Sequence, residues 1–292
     1  MSNMRFSIET EKCLVSRLVS AAFFVLVLFV AFLGGCATQA VEEQVESPSQ
    51  SPNINGLWQA MGNAHWNVEG QSAFKGPATH LLGALGGVPA SLNYVQGGEI
   101  PYLPEARIQR DKNRAEWNLL DPVVKCYIPG IPRQTYMPLP FHIVQSPTKI
   151  FIAYEFGSNS RIIHLDRDPE PADLPSWMGY STGRWEGNTL VVTVTDQVAD
   201  TWFDAAGNFH SDALTVTERY TPINENLIEY SATIEDPSVF LRPWTIVVPL
   251  YRRVEADAQL LEYKCVPFAE DAVYGHLNQG EDRHKPIMKN LH

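Results

Sequence analysis

Apolar and polar positions alternate with a period of two along most of the C-terminal half of this chain. Ile228, Tyr230, Ala232 and Ile234 share one face, and Glu229, Ser231, Thr233 and Glu235 share the other, which is the pattern of a strand with one side buried. Comparable runs occur at His142–Gln145, Lys149–Phe156, Arg161–Leu165, Thr189–Thr195, Leu214–Thr221, Leu227–Glu235, Trp244–Val254 and Leu260–Val266. Short turn-forming stretches join them, as at Trp185–Asn188 and Pro222–Asn226. Strands that follow one another at hairpin spacing, without intervening helices, predict an all-β fold with one or two helices. Its architecture is an antiparallel meander forming a barrel-like or calycin-type curved sheet.

The N-terminal part departs from this pattern. Arg5, Lys12 and Arg17 precede an uncharged apolar run from Ala21 to Leu33, which is shorter than the roughly 20 apolar residues that span a bilayer. A basic head, a short apolar segment and small residues before a cleavage point describe a secretory signal. Leu33-Gly34-Gly35-Cys36 resembles a bacterial lipobox, which implies a signal over residues 1–35 and lipidation of Cys36. An ordinary signal, or an uncleaved anchor with an incidental cysteine, is the alternative. Residues 36–53 are polar and rich in Ser, Glu, Gln and Pro, the composition of a flexible tether. One β-rich globular domain is then expected over residues 54–285, with a tail at 286–292. Gly56-Leu57-Trp58 at its start resembles the Gly-x-Trp opening of lipocalin-like barrels. Residues 58–104 are punctuated by Gly and Pro, with a brief helix suggested near His80–Leu85. Pro104-Glu105-Ala106 opens a mostly polar, surface helix to about Asn118, since Pro at the first helical position and Glu in the first turn suit a helix start.

Charge narrows the partners. The 292-residue chain carries 22 Lys and Arg against 33 Asp and Glu, net −11, and its basic residues form no cluster. That excludes nucleic acid as a partner, because phosphate binding needs grouped cations. The membrane contact expected is the lipid on Cys36. Ala37 stands where lipoproteins retained in the inner membrane usually carry Asp, so analogy with lipoproteins implies an outer-membrane anchor in the cell envelope, facing the periplasm or the cell surface. Cys13 falls in the signal, which leaves Cys126 and Cys265. In an oxidising compartment the two can pair, and a loop that long stabilises by about 5 kcal/mol in the chain-entropy model. Two separately buried thiols are the alternative, because distance along the chain does not show that their Cα atoms approach.

Several phrases carry a resemblance over roughly residues 118–245. They are Cys126-Tyr-Ile-Pro-Gly-Ile-Pro-Arg133, Arg161-Ile-Ile-His164, Trp177-Met-Gly179, Gly183-Arg-Trp-Glu-Gly-Asn-Thr-Leu-Val-Val192, Thr201-Trp-Phe-Asp204, His210-Ser-Asp-Ala-Leu214, Asp236-Pro237 and Arg242-Pro-Trp-Thr245. Together they resemble an uncharacterised family of exported bacterial proteins and lipoproteins. The resemblance implies export but no activity and no catalytic residue. Asn188 stands where relatives usually have Asp.

Candidate chemistry lies among the strands. His164 and Asp166, two apart, would share a face of a continuing strand. Asp204 and His210 follow within a short polar stretch, and Glu218 interrupts the apolar alternation of Leu214, Val216 and Tyr220. Glu218 needs a partner such as Arg161 or Arg242 if it is buried. These five residues, His164, Asp166, Asp204, His210 and Glu218, are the acid–base candidates; structural ion pairing is the plainer role for Glu218. Gly179-Tyr-Ser-Thr-Gly183 matches the G-x-S-x-G pattern of serine hydrolases, but the residues after it read as turn then strand, not helix, so a Gly-flanked turn is the better reading. No metal-ligand spacing appears, no cofactor is expected, and a metal on His164, His210 and an acid has no support from spacing. Seven tryptophans and many Tyr and Phe suit either a packed core or the wall of a ligand pocket, with Tyr154, Arg161, Trp185, Trp202 and Arg242 as binding candidates. Three functions are therefore carried forward. The first is an exported, lipid-anchored barrel that binds a small, largely apolar molecule in an aromatic-lined pocket. The second is a hydrolase, lyase or isomerase using the His/Asp/Glu cluster, and the third is a structural envelope lipoprotein.

Overall fold

The computed structural model of the protein describes residues 51–75, 87–168 and 174–269. The expected signal, Cys36, most of the tether, the helix suggested at His80–Leu85 and the 286–292 tail lie outside these residues. The described elements are β1 (Gly56–Ala60), β2 (Phe74–Lys75), β3 (Gly87–Val88), α1 (Pro104–Ala115), α2 (Trp117–Leu120), β4 (Phe141–Gln145), β5 (Lys149–Tyr154), β6 (Asn159–His164), β7 (Tyr180–Glu186), β8 (Thr189–Thr195), β9 (Thr215–Asn224), β10 (Leu227–Glu235) and β11 (Trp244–Arg252).

Nine of the described strands close a barrel in the order β1-β11-β10-β9-β8-β7-β6-β5-β4, while β2 and β3 form a separate two-stranded ribbon. Neighbours in the barrel are antiparallel except for one pair: β6 and β7 run parallel, with Ile163 opposite Ser181 and His164 opposite Thr182. The expected meander is thus interrupted once. Closure is made by β1, which pairs with β11 through Trp58–Arg252 and with β4 through Gly56–Ile143. Alternation along each strand sends Ile143, Ile150, Ile152, Ile163, Val192, Ile228, Ile246 and Leu250 into the interior, all of them buried.

Two expectations from the sequence are corrected. Leu260–Val266 is not a strand, because β1 already fills the gap between β11 and β4 and leaves no barrel edge to extend. The segment is instead an irregular strap. Leu261 N donates to Glu155 Oε2 at 2.9 Å, Ser158 Oγ donates to the Tyr263 carbonyl at 3.0 Å, and the Tyr263 ring lies 4.9 Å from that of Phe156. Conversely, the Gly179–Gly183 stretch is mostly strand. Only Gly179 turns, at φ +64°, and β7 begins at the next residue. Gly183 sits within β7 because a Cβ there would come within 2.8 Å of Ile163 Cγ2, so the residue permits the close approach of β6.

Capping segments shut the barrel. The 3-10 turn Arg133–Tyr136 is entirely buried, and so are residues 201–208. Helix α1 runs across the latter loop, where a Cβ on Gly207 would come within 2.6 Å of Arg114 N. As its polar sequence predicts, α1 is a surface helix that buries only Ala106 and Asn113. Cys126 and Cys265 form the disulfide, with Cα atoms 5.7 Å apart across 139 residues of sequence. It ties the strap to the segment before the buried plug.

Candidate functional site

The barrel centre is polar. Glu218 on β9 points inward and is fully buried, and Arg161 on β6 faces it. Arg161 Nη2 donates to Oε2, and Nη1 donates to Oε1 at 3.2 Å. The hydroxyls of Tyr220 and Tyr230 donate to Oε1 at 3.0 and 2.8 Å, and Arg161 Nε donates to Ser181 Oγ at 2.9 Å. Burial alone would lower the Arg161 pKa, but the facing carboxylate reverses this and holds the guanidinium charged well above its ordinary value. Burial, reinforced by Glu218, pushes the Tyr220 and Tyr230 phenols far up, so both stay protonated as donors. Three of these donors share Oε1 and one takes Oε2, so the carboxylate is held in a buried ion pair and not presented to a cleft. Two buried hydroxyls, Tyr154 Oη and Thr135 Oγ1, lie at the margin of the cluster without a hydrogen bond of good geometry. Tyr154 lies close to Arg161 and Thr135, and its phenol is pushed up chiefly by burial.

A second polar layer lies in the capping loops. Asp204 Oδ1 accepts from Ala206 N at 2.9 Å and Asn208 N at 3.3 Å, while Oδ2 accepts from Val68 N at 2.8 Å and Asn208 Nδ2 at 2.7 Å. That staples residues 204–208 to the chain near Val68. Full burial nonetheless raises its pKa to about 6, against the pull of these donors and of Arg133. His210 is held neutral: Nδ1 donates to the Ser211 carbonyl at 2.7 Å, leaving Nε2 to accept from the Thr201 hydroxyl at 2.6 Å. Burial lowers its pKa. Arg133 makes a buried, two-pronged pair with Asp121, at 2.8 and 2.7 Å. His65 is lowered to about 4 by burial and by Arg133.

These shifts act on stability with opposite signs. His65 and His210 bind protons more readily when unfolded, so their contribution is present above the ordinary value of 6.5 and is lost as pH falls below it, for His65 toward about 4. Asp204 contributes below its ordinary value of 3.8, and that contribution is lost as pH rises through about 6. Between pH 4 and 6, therefore, Asp204→Asn is expected to steepen the loss of stability on acidification, and His65→Gln to flatten it. Urea midpoints measured across that range read both slopes, and unchanged slopes would contradict the assignment.

The five acid–base candidates do not converge. Glu218 lies in the barrel, and Asp204 and His210 are in the capping loops. His164 is on the outside of β6, its ring stacked 5.4 Å from Tyr180, and Asp166 beyond it is exposed. Of the binding candidates, Tyr154 and Arg161 do join Glu218. Trp202 is buried in the 201–208 loop, Trp185 is half-buried on β7, and Arg242 is exposed in the loop before β11, so the partner of Glu218 is Arg161 and not Arg242. Ser181, the serine of the hydrolase-like pattern, is a mid-strand residue whose hydroxyl accepts from Arg161. Among the described residues no three His, Cys, Asp or Glu side chains gather as a metal site.

The feature not anticipated from the sequence is a groove outside the barrel. Trp66, Phe74, Val88 and Trp117 line it together with Ala205 and Ala206, and Gln71 and Arg114 supply its polar groups; it is a shallow recess open to solvent that encloses only about 20 Å³, room for one water. Trp66 and Trp117 meet edge to face at 5.3 Å, and the Arg114 guanidinium lies 5.5 Å above the Phe74 ring. Gln71 Oε1 accepts from Arg114 Nη2 at 3.3 Å and from Asn67 Nδ2 at 3.0 Å. Trp117 Nε1 is buried and has no acceptor. Its apolar walls come from segments without strand alternation, so periodicity gives no sign that they meet. The available signal was the placement of Trp66 and Trp117 in otherwise polar, non-strand surroundings. No protein-family model matches this chain, and no curated protein matches it.

Proposed function

We propose that this protein is an exported, lipid-anchored binder of a small, largely apolar molecule, held in the Trp66–Phe74–Trp117 groove. The observation that carries the reading is an aromatic recess walled by Trp66, Phe74 and Trp117 with the Arg114 guanidinium over the Phe74 ring. The Trp117 indole N–H is buried without an acceptor, at a cost of roughly 1–3 kcal/mol, and a ligand oxygen would remove that cost if the ring turns to present the donor. The ligand class is then a compact apolar body with an acceptor oxygen, and Arg114 favours a carboxylate. The barrel centre supports this division of labour. Its charges face each other and its aromatic side chains pack together, so it is best read as the part that holds the fold. The acid–base alternative draws less support, because its candidates stand apart and Glu218 is neutralised in place.

The test is titration with 2-naphthoate, an apolar bicycle bearing one carboxylate. One molecule is expected to bind per chain and to quench tryptophan fluorescence. Trp117→Phe removes the indole N–H together with the five-membered half of the ring, and is expected to weaken binding about fivefold or more, at least the worth of one neutral hydrogen bond. Arg114→Gln is expected to weaken it by about tenfold or more, as a charge-assisted contact would. Binding that neither change affects would exclude the groove.

A further inference from the structure

We propose that the outer face of β4, β5 and β6 rests against the lipid bilayer that holds the anchor; this depends on the reading of Cys36 as lipidated. Val144 on β4, Phe151 on β5 and Ile162 on β6 are paired in register across the three strands, Val144 with Phe151 and Phe151 with Ile162. They form one apolar row on the outside of the barrel, with relative exposures of 45%, 41% and 46%. A contiguous apolar row on three neighbouring strands marks a contact surface more strongly than scattered exposed residues do.

Two further observations select a bilayer as the occupant. First, the face is free of acids in a strongly acidic chain. The outward positions of these strands are His142, Val144, Lys149, Phe151, Ala153, Ser160, Ile162 and His164, and Ser146, Pro147 and Thr148 make the intervening turn. Glu155 after β5 is buried, and exposed acids begin at the margins, at Asp166 beyond β6 and at Glu262 on the strap. Elsewhere on the barrel, β7 and β10 expose Glu186, Glu229 and Glu235, whereas the outward positions of β1, β8, β9 and β11 also lack acids, so the exposed apolar row is what distinguishes this face. A surface that lies on phospholipid must avoid like charge and tolerates cations. Second, the chain leaves the barrel at this face. Ile54 N donates to Gln145 Oε1 at 3.2 Å and Gln145 N donates to Asn55 Oδ1 at 2.6 Å, so the N-terminal connection passes beside the residue that follows Val144. Ser51 lies fifteen residues beyond Cys36, and a chain of that length reaches at most about 50 Å even when fully extended. The acyl chains would hold the protein in the membrane while this face sets its orientation.

The test uses the full-length protein, extracted from its membrane and reconstituted into phosphatidylethanolamine–phosphatidylglycerol vesicles. With Cys126 and Cys265 bonded and Cys36 acylated, Phe151→Cys provides a single site for a bimane label, and Glu229→Cys on β10 provides the control. With a headgroup-level nitroxide lipid present, emission from the label at position 151 is expected to fall by half or more, and emission from position 229 to stay unchanged. Adding Val144→Glu and Ile162→Glu, both on the outer surface, is expected to abolish the quenching while the protein still floats with the vesicles. Equal quenching at both positions overturns the proposal, and so does vesicle-bound protein with no quenching at position 151. A label that responds to protein concentration but not to the nitroxide also overturns it, in favour of contact with a second copy. Protein that fails to float overturns the anchor reading itself.

Discussion

Glu218→Ala is expected to lower the unfolding free energy by about 3–5 kcal/mol, because it leaves Arg161 charged in the barrel interior with nothing to face. The same change takes the acceptor from the hydroxyls of Tyr220 and Tyr230. Neither phenol can compensate by ionising, since burial holds both far above their ordinary range. Replacing both charged partners, as in Arg161→Met with Glu218→Leu, is expected to recover most of the loss, because a buried pair gains little net stability over well-packed apolar side chains. Equilibrium urea unfolding followed by tryptophan fluorescence gives the three values and their coupling. A single-variant loss below about 1 kcal/mol, the range of exposed ion pairs, would mean that the centre of the barrel is wet.

Removing the disulfide has an effect of similar size by another route. The bond closes 139 residues, and a loop of that length restricts the unfolded chain by about 5 kcal/mol in the entropic model, an upper value. In the folded protein it joins the strap to the segment before the Arg133–Tyr136 plug, outside the closed ring of strands. Cys126→Ser with Cys265→Ser is therefore expected to lower stability by several kcal/mol, up to that limit, and to leave the far-ultraviolet circular dichroism of the barrel intact. Midpoints compared with and without reductant should reproduce the difference in the unmodified chain. An unchanged midpoint would contradict this account of the bond.

The strand half of the fold was legible because burial on one side imposes a period of two, and runs such as Ile228–Ile234 display it without interruption. The parallel β6–β7 pair was not legible. It depends on the 165–179 connection carrying the chain across to the next strand position, and alternation alone does not distinguish parallel from antiparallel neighbours. β7 itself was obscured by Gly179 and Gly183, which resemble a turn; Gly183 is there because β6 packs against it. Leu260–Val266 has strand composition but no edge to join, a limit set by barrel closure. Glu218 stands out as a charge within an apolar alternation, and such a charge calls for a buried cation such as Arg161. By contrast, Asp204 and His210 suggest one site because they are close in sequence, yet each satisfies backbone groups of the capping loops. The groove was hidden because its walls come from five separated segments, around Trp66, Phe74, Val88, Trp117 and Ala205.

The claim that matters most is that the groove holds a small molecule. Its most direct test is the native mass spectrum of the protein extracted from its own membrane, measured for the unmodified chain and for Trp117→Phe. The account predicts one non-covalent small organic molecule per chain, retained by the unmodified protein and depleted by the substitution. A bare protein mass for the unmodified chain, or a molecule retained equally by both proteins, would contradict it.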